Sequence, residues 1–592
     1  MNFNRKQLFT GIAAATFGLS ALLVQAAEPT LTVATANGAA TTATFTGGAT
    51  INNGSTYATS AASSAAIDVT GTINVAAADV GKTGGLIALV QIPGLGAFKM
   101  VSGGLFLPWN GQVSGLSPFA VKKLGTQERI TVMNDLIGAN SSLAGLDFQV
   151  YFGYYTNNNI STLAYTSSPV SFSIAATPAA GCPTNTRAST TGATHEGKPV
   201  CVLTGRLTSN THLNANNVYL LDGAVFVGGD NTTPATLTID AGTKVIAPVG
   251  LNFLVVSRGS KLMANGSEAA PIVFTYDDEA NATATTTGRW GGLIINGNAP
   301  VNGCAAGTAL CELEGEGSTG KYGGNTPTDS SGVLSYVIVK YPGQNITPTN
   351  ELNGIAFQGV GSGTVVDYVQ VHGSSDDGVE FFGGSVNAKH LILTSNEDDS
   401  FDWTFGWNGK VQHAVIKQRT GNGDRGIEAD NNEFAFDSLP RSKPTLANFT
   451  FIGKGVGGRG MELRRGTGAN IHNAVVTGFD TYCLDINDNA TFTNGGASAT
   501  TLTGQLTMTN TRFSCAVNFL ESGTDPWLTS AWFSGQAGNS TGTADLSGVV
   551  NGPTLNALTA ATLSDAFFDK VTHIGAVKSA ATDWTAGWMF GN

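Results

Sequence analysis

The residues with most potential for chemistry are acidic side chains that return at intervals through the second half of the chain. Each closes a triplet of a small, an apolar and an acidic residue. The triplets are Gly378-Val379-Glu380, Ser400-Phe401-Asp402, Gly426-Ile427-Glu428, Gly460-Met461-Glu462 and Cys483-Leu484-Asp485. If they form a column, carboxylates about 5 Å apart repel one another, so the column must recruit cations or protons.

Further charge surrounds the triplets. Between Asp376 and Arg465, 24 of 90 residues are charged, against 11 of the 153 residues from Glu28 to Ala180. The carboxylates that precede the triplets suit Ca²⁺, which prefers several oxygen ligands. The predicted calcium ligands are Asp376, Asp377, Asp398 and Asp399. Alternatively, Arg425 and Arg459 interleave with the acids as a salt-bridged ladder that only stabilises the turn.

Catalysis is the third interpretation of the same residues. Two carboxylates can perform acid–base work on a polysaccharide, beside an arginine and aromatic rings on which sugars stack. The candidates are Glu380, Asp402 and Glu428 with Arg425 and Arg459 for catalysis, and Trp403, Phe405 and Trp407 for ligand binding.

Short apolar strands recur at the same intervals as the triplets. Their cores are Val337-Ile338-Val339, Val369-Gln370-Val371, Leu391-Ile392-Leu393, Ala414-Val415-Ile416, Phe449-Thr450-Phe451 and Ala474-Val475-Val476. A unit of about 22 residues is too short for a strand and a helix, and is typical of one coil of a parallel β-helix. Two steps, of 32 and 35 residues, indicate insertions, which often lie on a binding face.

Histidines occupy two rows of this repeat. His390 and His413 precede their strand cores in a column with Tyr336, Tyr368, Asn448 and Asn473, which predicts a stacked structural ladder rather than a metal pair. His372 follows its strand core, in a row that we predict to face solvent.

Composition and charge limit the partners. The formal charge of −12 argues against nucleic acid, and no run after the N-terminus approaches the roughly 18 apolar residues of a membrane span. The cysteines fall in three local pairs, Cys182 and Cys201, Cys304 and Cys311, and Cys483 and Cys515. This spacing indicates three disulfides, although 15 pairings are formally possible, and it is not typical of zinc sites.

Five segments are predicted. Residues 1–26 carry Arg5, Lys6, an apolar run and Val24-Gln25-Ala26, as in a secretory signal peptide. Alternating strands in 27–177 predict a small antiparallel β-sandwich. A cysteine-clipped linker (178–201), a right-handed parallel β-helix (202–490) and irregular turns with a cap (491–592) follow. The fold class is therefore all-β, and the protein is expected to be secreted, at the cell surface, extracellular or in the periplasm.

Several motifs carry a family resemblance. They are Trp290 to Gly297, Ser374 to Gly384, Phe567-Phe568 and Asp583 to Trp588. Over about 181–592 the chain resembles a large family of exported bacterial surface proteins, and this resemblance implies a fold similar to the pectin-lyase-like β-helix without implying a reaction. Val75 to Lys82, Leu107-Pro108-Trp109 and Leu143 to Tyr154 resemble a small accessory domain of exported bacterial proteins, which implies an attachment or spacer role.

Two functional hypotheses follow. The leading one is a non-enzymatic structural or adhesive protein that presents a rigid face to glycans or to copies of itself. Galacturonan hydrolases of similar shape carry a Gly-His-Gly motif, which this chain lacks. The alternative is a polysaccharide lyase or glycoside hydrolase that works at the acidic face 376–465.

Overall fold

The computed structural model describes residues 27–591 apart from 53, 55, 63–64, 94–95, 138–145, 175–180, 190–193, 306, 348–350 and 422. The predicted signal peptide lies outside the described residues. The chain divides into two compact units between Ala179 and Ala180. In the described part of the chain, no helix combines the length and apolar character that a membrane span requires.

The N-terminal unit consists of a five-stranded and a nine-stranded sheet with mainly antiparallel pairing. Its strands are Thr30–Leu31, Val33–Thr35, Thr44–Ile51, Tyr57–Ala58, Ser60–Ala61, Ala66–Asn74, Thr83–Ile92, Gly96–Met100, Phe106–Trp109, Ala120–Lys123, Gln127–Ile137, Asp147–Thr156, Asn159–Thr166 and Val170–Ile174, and a 3₁₀ turn spans Val113–Gly115. Alternate residues such as Phe45, Ile67 and Phe152 face a common buried core, which confirms the predicted sandwich.

The second unit is a 28-stranded sheet in which successive coils pair in parallel. Its first strands are Arg187–Ala188, Thr194–His195, Lys198–Leu207, Thr211–Leu213, Val218–Val227, Thr236–Ile239, Lys244–Ala247, Phe253–Val256, Lys261–Asn265 and Ile272–Tyr276. The central coils contain Gly292–Asn296, Gly332–Lys340, Ile355–Gln358, Val365–His372, Val379–Phe382, Asn387–Thr394, Phe401–Thr404, Lys410–Lys417, Arg425–Ala429, Thr445–Gly455 and Arg459–Leu463. The last are Ala469–His472, Val475–Phe479, Tyr482–Ile486, Leu506–Thr509, Arg512–Ser514, Phe519–Leu520 and Ser540–Thr541. The predicted parallel β-helix is confirmed.

Short accessory elements interrupt the coils. They are the α-helices Asn489–Gly495, Thr529–Ser534 and Pro553–Asn556, the 3₁₀ turns Glu279–Asn281, Glu316–Ser318 and Ala580–Thr582, and the antiparallel pairs Leu313–Glu314 with Lys321–Tyr322, Gly496–Ser498 with Thr501–Leu502 and Leu546–Ser547 with Val550–Asn551. The first helix has Asp488 as its N-cap, whose carboxylate accepts hydrogen bonds from the amides of Ala490 and Thr491.

One corner of each central coil is a residue with positive φ. Tyr336, Tyr368, His390 and His413 have φ between 48° and 63°, which turns the chain by a left-handed residue within a continuous strand. Their rings stack on successive coils, with centroid distances of 4.3, 4.1 and 4.9 Å. The predicted structural ladder is confirmed.

All six cysteines form the three local disulfides predicted, Cys182–Cys201, Cys304–Cys311 and Cys483–Cys515. The Cys304–Cys311 bridge lies in a long insertion, 297–331, which contacts a second insertion, 430–444. Asn302 Nδ2 donates to Asn431 Oδ1 at 2.9 Å and to the Pro440 carbonyl at 2.9 Å. These hydrogen bonds join insertions about 130 residues apart on the same side of the coil.

The last residues run back along the outside of the coils. Asn473 exchanges two hydrogen bonds with Ala561, Gln412 two with Asp569, and Gln370 two with Phe590. The Phe590 ring covers His372 at 4.9 Å. The prediction that the row of His372 faces solvent is therefore wrong, because a segment remote in sequence covers it.

Candidate functional site

The acidic triplets form one column on the outside of the β-helix. We call Glu380, Asp402, Glu428, Glu462 and Asp485 the acidic row. Each is the register partner of the next on neighbouring parallel strands, so the predicted column is confirmed. Parallel strands lie about 4.8 Å apart, which sets the spacing of the row.

Strand alternation fixes what lies beside the row. Neighbours in a strand face opposite sides, so when Asp402 faces outward Trp403 faces the core. Trp403 and Trp407 are fully buried, and Phe405 packs partly buried against the cluster around Val301. The prediction that sugars stack on Trp403 and Trp407 is corrected, because both indoles are buried in the coil and offer no open face to a ligand. Phe405 is only partly buried, so its predicted role stays a prediction.

Toward its C-terminal end the row is ion-paired. Arg425 contacts Asp424 at 2.6 Å and Glu428 at 3.5 Å, and it also contacts Glu462. Arg459 contacts Asp424, and its side chain is 40% exposed. This half matches the predicted salt-bridged ladder of Arg425 and Arg459.

Two further arginines complete this half. Arg464 contacts Glu428 and lies 2.9 Å from Asp430, and Arg465 lies 2.7 Å from Asp430. Burial lowers the pKa of Arg464 to about 10. In contrast, the carboxylates around Arg425 outweigh its burial and raise its pKa.

Toward the other end the acids have no such partners. Among the residues described, no Lys, Arg or His nitrogen lies within 4.0 Å of the carboxylates of Asp376, Asp377, Glu380, Asp398 or Asp402. Burial, together with the neighbouring carboxylates, raises the pKa of all five. The protonated, neutral form of these acids is therefore favoured where no cation pairs with them.

Two loops bring additional acids to this end. Glu316 comes from the insertion 297–331, and burial and the charge of Glu351 raise its pKa to about 7. Asn353 links it to the row by donating to Glu380 at 2.7 Å and Glu316 at 3.3 Å. Glu316 and Glu351 lie in no triplet, so sequence periodicity gave no signal for them.

Several of these acids, together with Asp399 and Asp424, which contact Arg425, approach one another closely enough to share a cation. Their groups are Glu351, Asp376 and Asp398; Asp377, Asp399 and Asp402; and Asp398, Asp399 and Asp424, each with ligand oxygens within 4.8 Å of one another. The four predicted calcium ligands all belong to these groups. Asn353, whose Nδ2 contacts Glu380 and Glu316, has an Oδ1 that is buried without a hydrogen-bond partner among the described residues.

Comparison with solved structures finds catalytic domains of GH87 α-1,3-glucanases. The catalytic unit of a thermostable GH87 α-1,3-glucanase from Streptomyces thermodiastaticus is 12% identical, with a TM-score of 0.27, over 87% of this chain and 97% of that one. The catalytic domain of a GH87 α-1,3-glucanase in complex with tetrasaccharides is 9% identical, with a TM-score of 0.23, over 85% and 99%. At these values the likeness assigns no residue a role. Comparison with curated proteins finds no match.

A family match carries more weight. Residues 205–589 match the family model described as a pectate-lyase like beta helix domain. This match favours the glycan-cleaving alternative, so the leading sequence-based hypothesis, a non-enzymatic structural or adhesive protein, is corrected. Since the match spans most of the second unit and more than half of the chain, the chain belongs to the pectate-lyase-like β-helix family.

Proposed function

We propose that the protein is an exported glycoside hydrolase that cleaves a polysaccharide at the acidic row. The observation that carries the proposal is the contrast between Asp402 and Glu428, register partners on neighbouring strands. Burial and the charge of Asp430 raise the pKa of Asp402, which favours its protonated form. Glu428 contacts the guanidinium groups of Arg425 and Arg464, which favour the ionised carboxylate.

Such a pair suits glycoside hydrolysis. Of two carboxyl groups in different protonation states, the protonated one can donate its proton to the leaving oxygen. The ionised one can attack the sugar from the opposite face. Asp402 is the proposed general acid and Glu428 the proposed nucleophile. The strand spacing of about 4.8 Å is nearer to the ~5–5.5 Å of retaining enzymes than to the ~6.5–9.5 Å of inverting ones. Hydrolysis with retained anomeric configuration is therefore expected.

Arg425 and Arg459, the arginines predicted for catalysis, favour hydrolysis over elimination. An arginine acting as the base of a lyase must lose its proton, and the carboxylates around Arg425 raise its pKa. Arg459 forms an ion pair with Asp424. In the proposed mechanism Arg425 and Arg464 hold Glu428 ionised and oriented. A lyase would instead release products with unsaturated ends, which ultraviolet absorbance detects.

Calcium is proposed as a second component of the acidic face. Of the four predicted ligands, Asp376 and Asp398 would bind it together with Glu351, because Asp377 and Asp399 group with Asp402, the proposed general acid, which a bound cation would ionise. Hard carboxylate oxygens fit the ion, which would supply positive charge where no arginine contacts the acids. The proposal of an exported enzyme is consistent with three disulfides, which persist in oxidising compartments.

The test is release of reducing sugars from a panel of neutral and uronic polysaccharides. Asp402→Asn and Glu428→Gln are each expected to reduce the rate by about 10²–10⁴-fold, the usual contribution of a positioned acid or base. Because Asp402 must be protonated, activity should fall as the pH rises through its raised pKa. Asp485→Asn, at the far end of the same row, is the matched control and should keep its activity.

Two results would reject the proposal. One is full activity of Asp402→Asn with an unchanged melting temperature. The other is equal loss in all three variants, which would indicate a structural effect of the row.

A further inference from the structure

The loop that follows the strand of Glu428 presents aromatic and apolar side chains to solvent. Phe434 is 79% exposed, Leu439 is 76% exposed and Phe436 is 37% exposed. The loop, residues 430–441, belongs to the 35-residue step of the repeat. Single exposed apolar residues are common, but three of them within six residues of one loop form a group, and grouped apolar surface is typical of an interaction site.

The loop is fixed at its base. Asn431 Nδ2 donates to the carbonyls of Phe436 and Ser438 at 2.9 and 3.0 Å, and Asn432 Oδ1 accepts from the amides of Phe434 and Ala435 at 2.8 and 3.0 Å. Asn432 Nδ2 also donates to the Asn302 carbonyl at 3.0 Å. The exposed ring of Phe434 is therefore carried on a hydrogen-bonded backbone, which limits the entropy lost when a ligand binds.

Charged groups connect the loop to the proposed catalytic pair. Arg465 lies 2.7 Å from Asp430 and 3.6 Å from Glu433, the residue before Phe434. Asp430 also pairs with Arg464, which contacts Glu428. Phe434 thus stands next to an ion-pair network that ends at the acidic row.

A cleft separates this loop from the insertion 297–331. Its volume is about 360 Å³, and Asn302, Thr308, Asp437, Ser438 and Leu439 are among the residues that line it. This volume lies within the usual range of small-molecule sites, which combine an apolar surface with a few polar groups.

The charge of the surroundings restricts the ligand. The arginines around the loop already contact carboxylates: Arg464 and Arg465 contact Asp430, and Arg441 contacts Asp437. An anionic sugar would have to compete with these carboxylates for the guanidinium groups, whereas an uncharged sugar would not. The C–H face of an uncharged pyranose is apolar and packs on an aromatic ring.

From these observations we infer that loop 430–441 is a binding subsite for an uncharged glycan, with Phe434 as its stacking platform. The inference rests on the proposed function, since it extends the same site toward its substrate. It assigns the sugar-stacking role to a residue outside the coil, where strand alternation does not force the ring into the core.

Binding can be measured apart from cleavage in the Asp402→Asn background. Affinity electrophoresis would use neutral β-glucan, α-glucan and xylan beside polygalacturonate and alginate, each with calcium and with chelator. At least one neutral glycan should bind, and Phe434→Ala and Phe434→Leu should weaken that binding about tenfold, the loss typical of a binding hot spot. Phe434→Tyr should restore it. Val121→Ala, which removes an exposed apolar side chain in the N-terminal unit, is the control and should leave binding unchanged.

Each other outcome overturns the inference. These are no binding of any neutral glycan, binding of uronic glycans only, and neutral binding that Phe434→Ala leaves unchanged. The proposed function fails separately: glycan binding through Phe434 without cleavage by the wild type would retain the subsite and reject the hydrolase. Cleavage at an unchanged rate in Phe434→Ala would retain the hydrolase and reject the subsite.

Discussion

Replacing Asp485 by asparagine should stabilise the protein in a pH-dependent way. The side chain is 9% exposed at the end of the acidic row, and burial followed by the charge of Glu462 raises its pKa to about 7. In the unfolded chain an aspartate titrates near pH 3.9. At pH 8 the ionised Asp485 therefore destabilises the native state relative to the unfolded chain. An asparagine, which carries no charge, does not.

The magnitude follows from this difference in pKa. About three pKa units at 1.36 kcal/mol each give a ceiling of about 4 kcal/mol in the free energy of unfolding. For a unit of about 410 residues, with an unfolding entropy of ~2.1 cal/mol/K per residue, this corresponds to about 4–5 °C in Tm.

The sign depends on which state holds the proton. Near pH 3 the carboxyl group is protonated in both states, so the variant gains nothing. Between about pH 4 and 7 the unfolded state releases its proton while the native state keeps it, so the wild type loses stability as the pH rises. The advantage of Asp485→Asn should grow through this window and level off above pH 7.

Thermal unfolding at pH 3, 6 and 8, at one scan rate, measures the effect. Asp222→Asn is the control, because its carboxylate is 54% exposed and pairs with Arg187 at 3.0 Å, and exposed pairs contribute only ~0–1 kcal/mol. Its Tm should stay within about 1 °C of the wild type at all three pH values. A lower Tm of Asp485→Asn at pH 8, or the same gain at pH 3 and pH 8, would refute the reasoning.

Three further predictions concern calcium, a disulfide and the buried indoles. Millimolar calcium should raise Tm by several degrees relative to chelator, and Asp398→Asn, which alters two of the acid groups, should remove most of that shift; no shift in the wild type would exclude the calcium site. Replacing both Cys483 and Cys515 by alanine opens a loop of 32 residues and should cost about 4 kcal/mol in the free energy of unfolding, and an unchanged denaturation midpoint would contradict the loop-entropy model. Trp403→Ala should cost about 3–5 kcal/mol, because the indole is fully buried and its Nε1 donates to Thr467 at 2.9 Å. Weaker glycan binding at undiminished stability in that variant would contradict its assignment to the core.

Much of the fold could be predicted because a β-helix repeats locally. Each coil uses the same short strands and turns, so equivalent residues recur in sequence and stack in space. This made the register of Glu380 with Asp402 predictable, and likewise the stacking of His390 on His413. The three disulfide pairings were predictable for a similar reason, because each disulfide joins cysteines that lie close together in the sequence.

The candidate site was only partly predictable. Asp402 and Glu428 were recognisable as members of a row, but their opposite environments depend on Arg464, which reaches Glu428 from the next coil. Trp403 was misassigned although the sequence contained the necessary signal, because strand alternation cannot place it on the same face as Asp402.

The sequence by itself determined the repeat, the outward acidic row and the local disulfides, because each depends on residues that lie within a coil or in equivalent places of successive coils. Only the tertiary structure decided which acids are ion-paired and which have a raised pKa. That outcome depends on burial and on the charges of Glu316 and Glu351, which arrive from loops outside the periodic pattern. The covering of His372 by the C-terminal segment also depends on tertiary structure. Contacts such as that of Gln370 with Phe590 join residues 220 positions apart, so they leave no periodic pattern in the sequence.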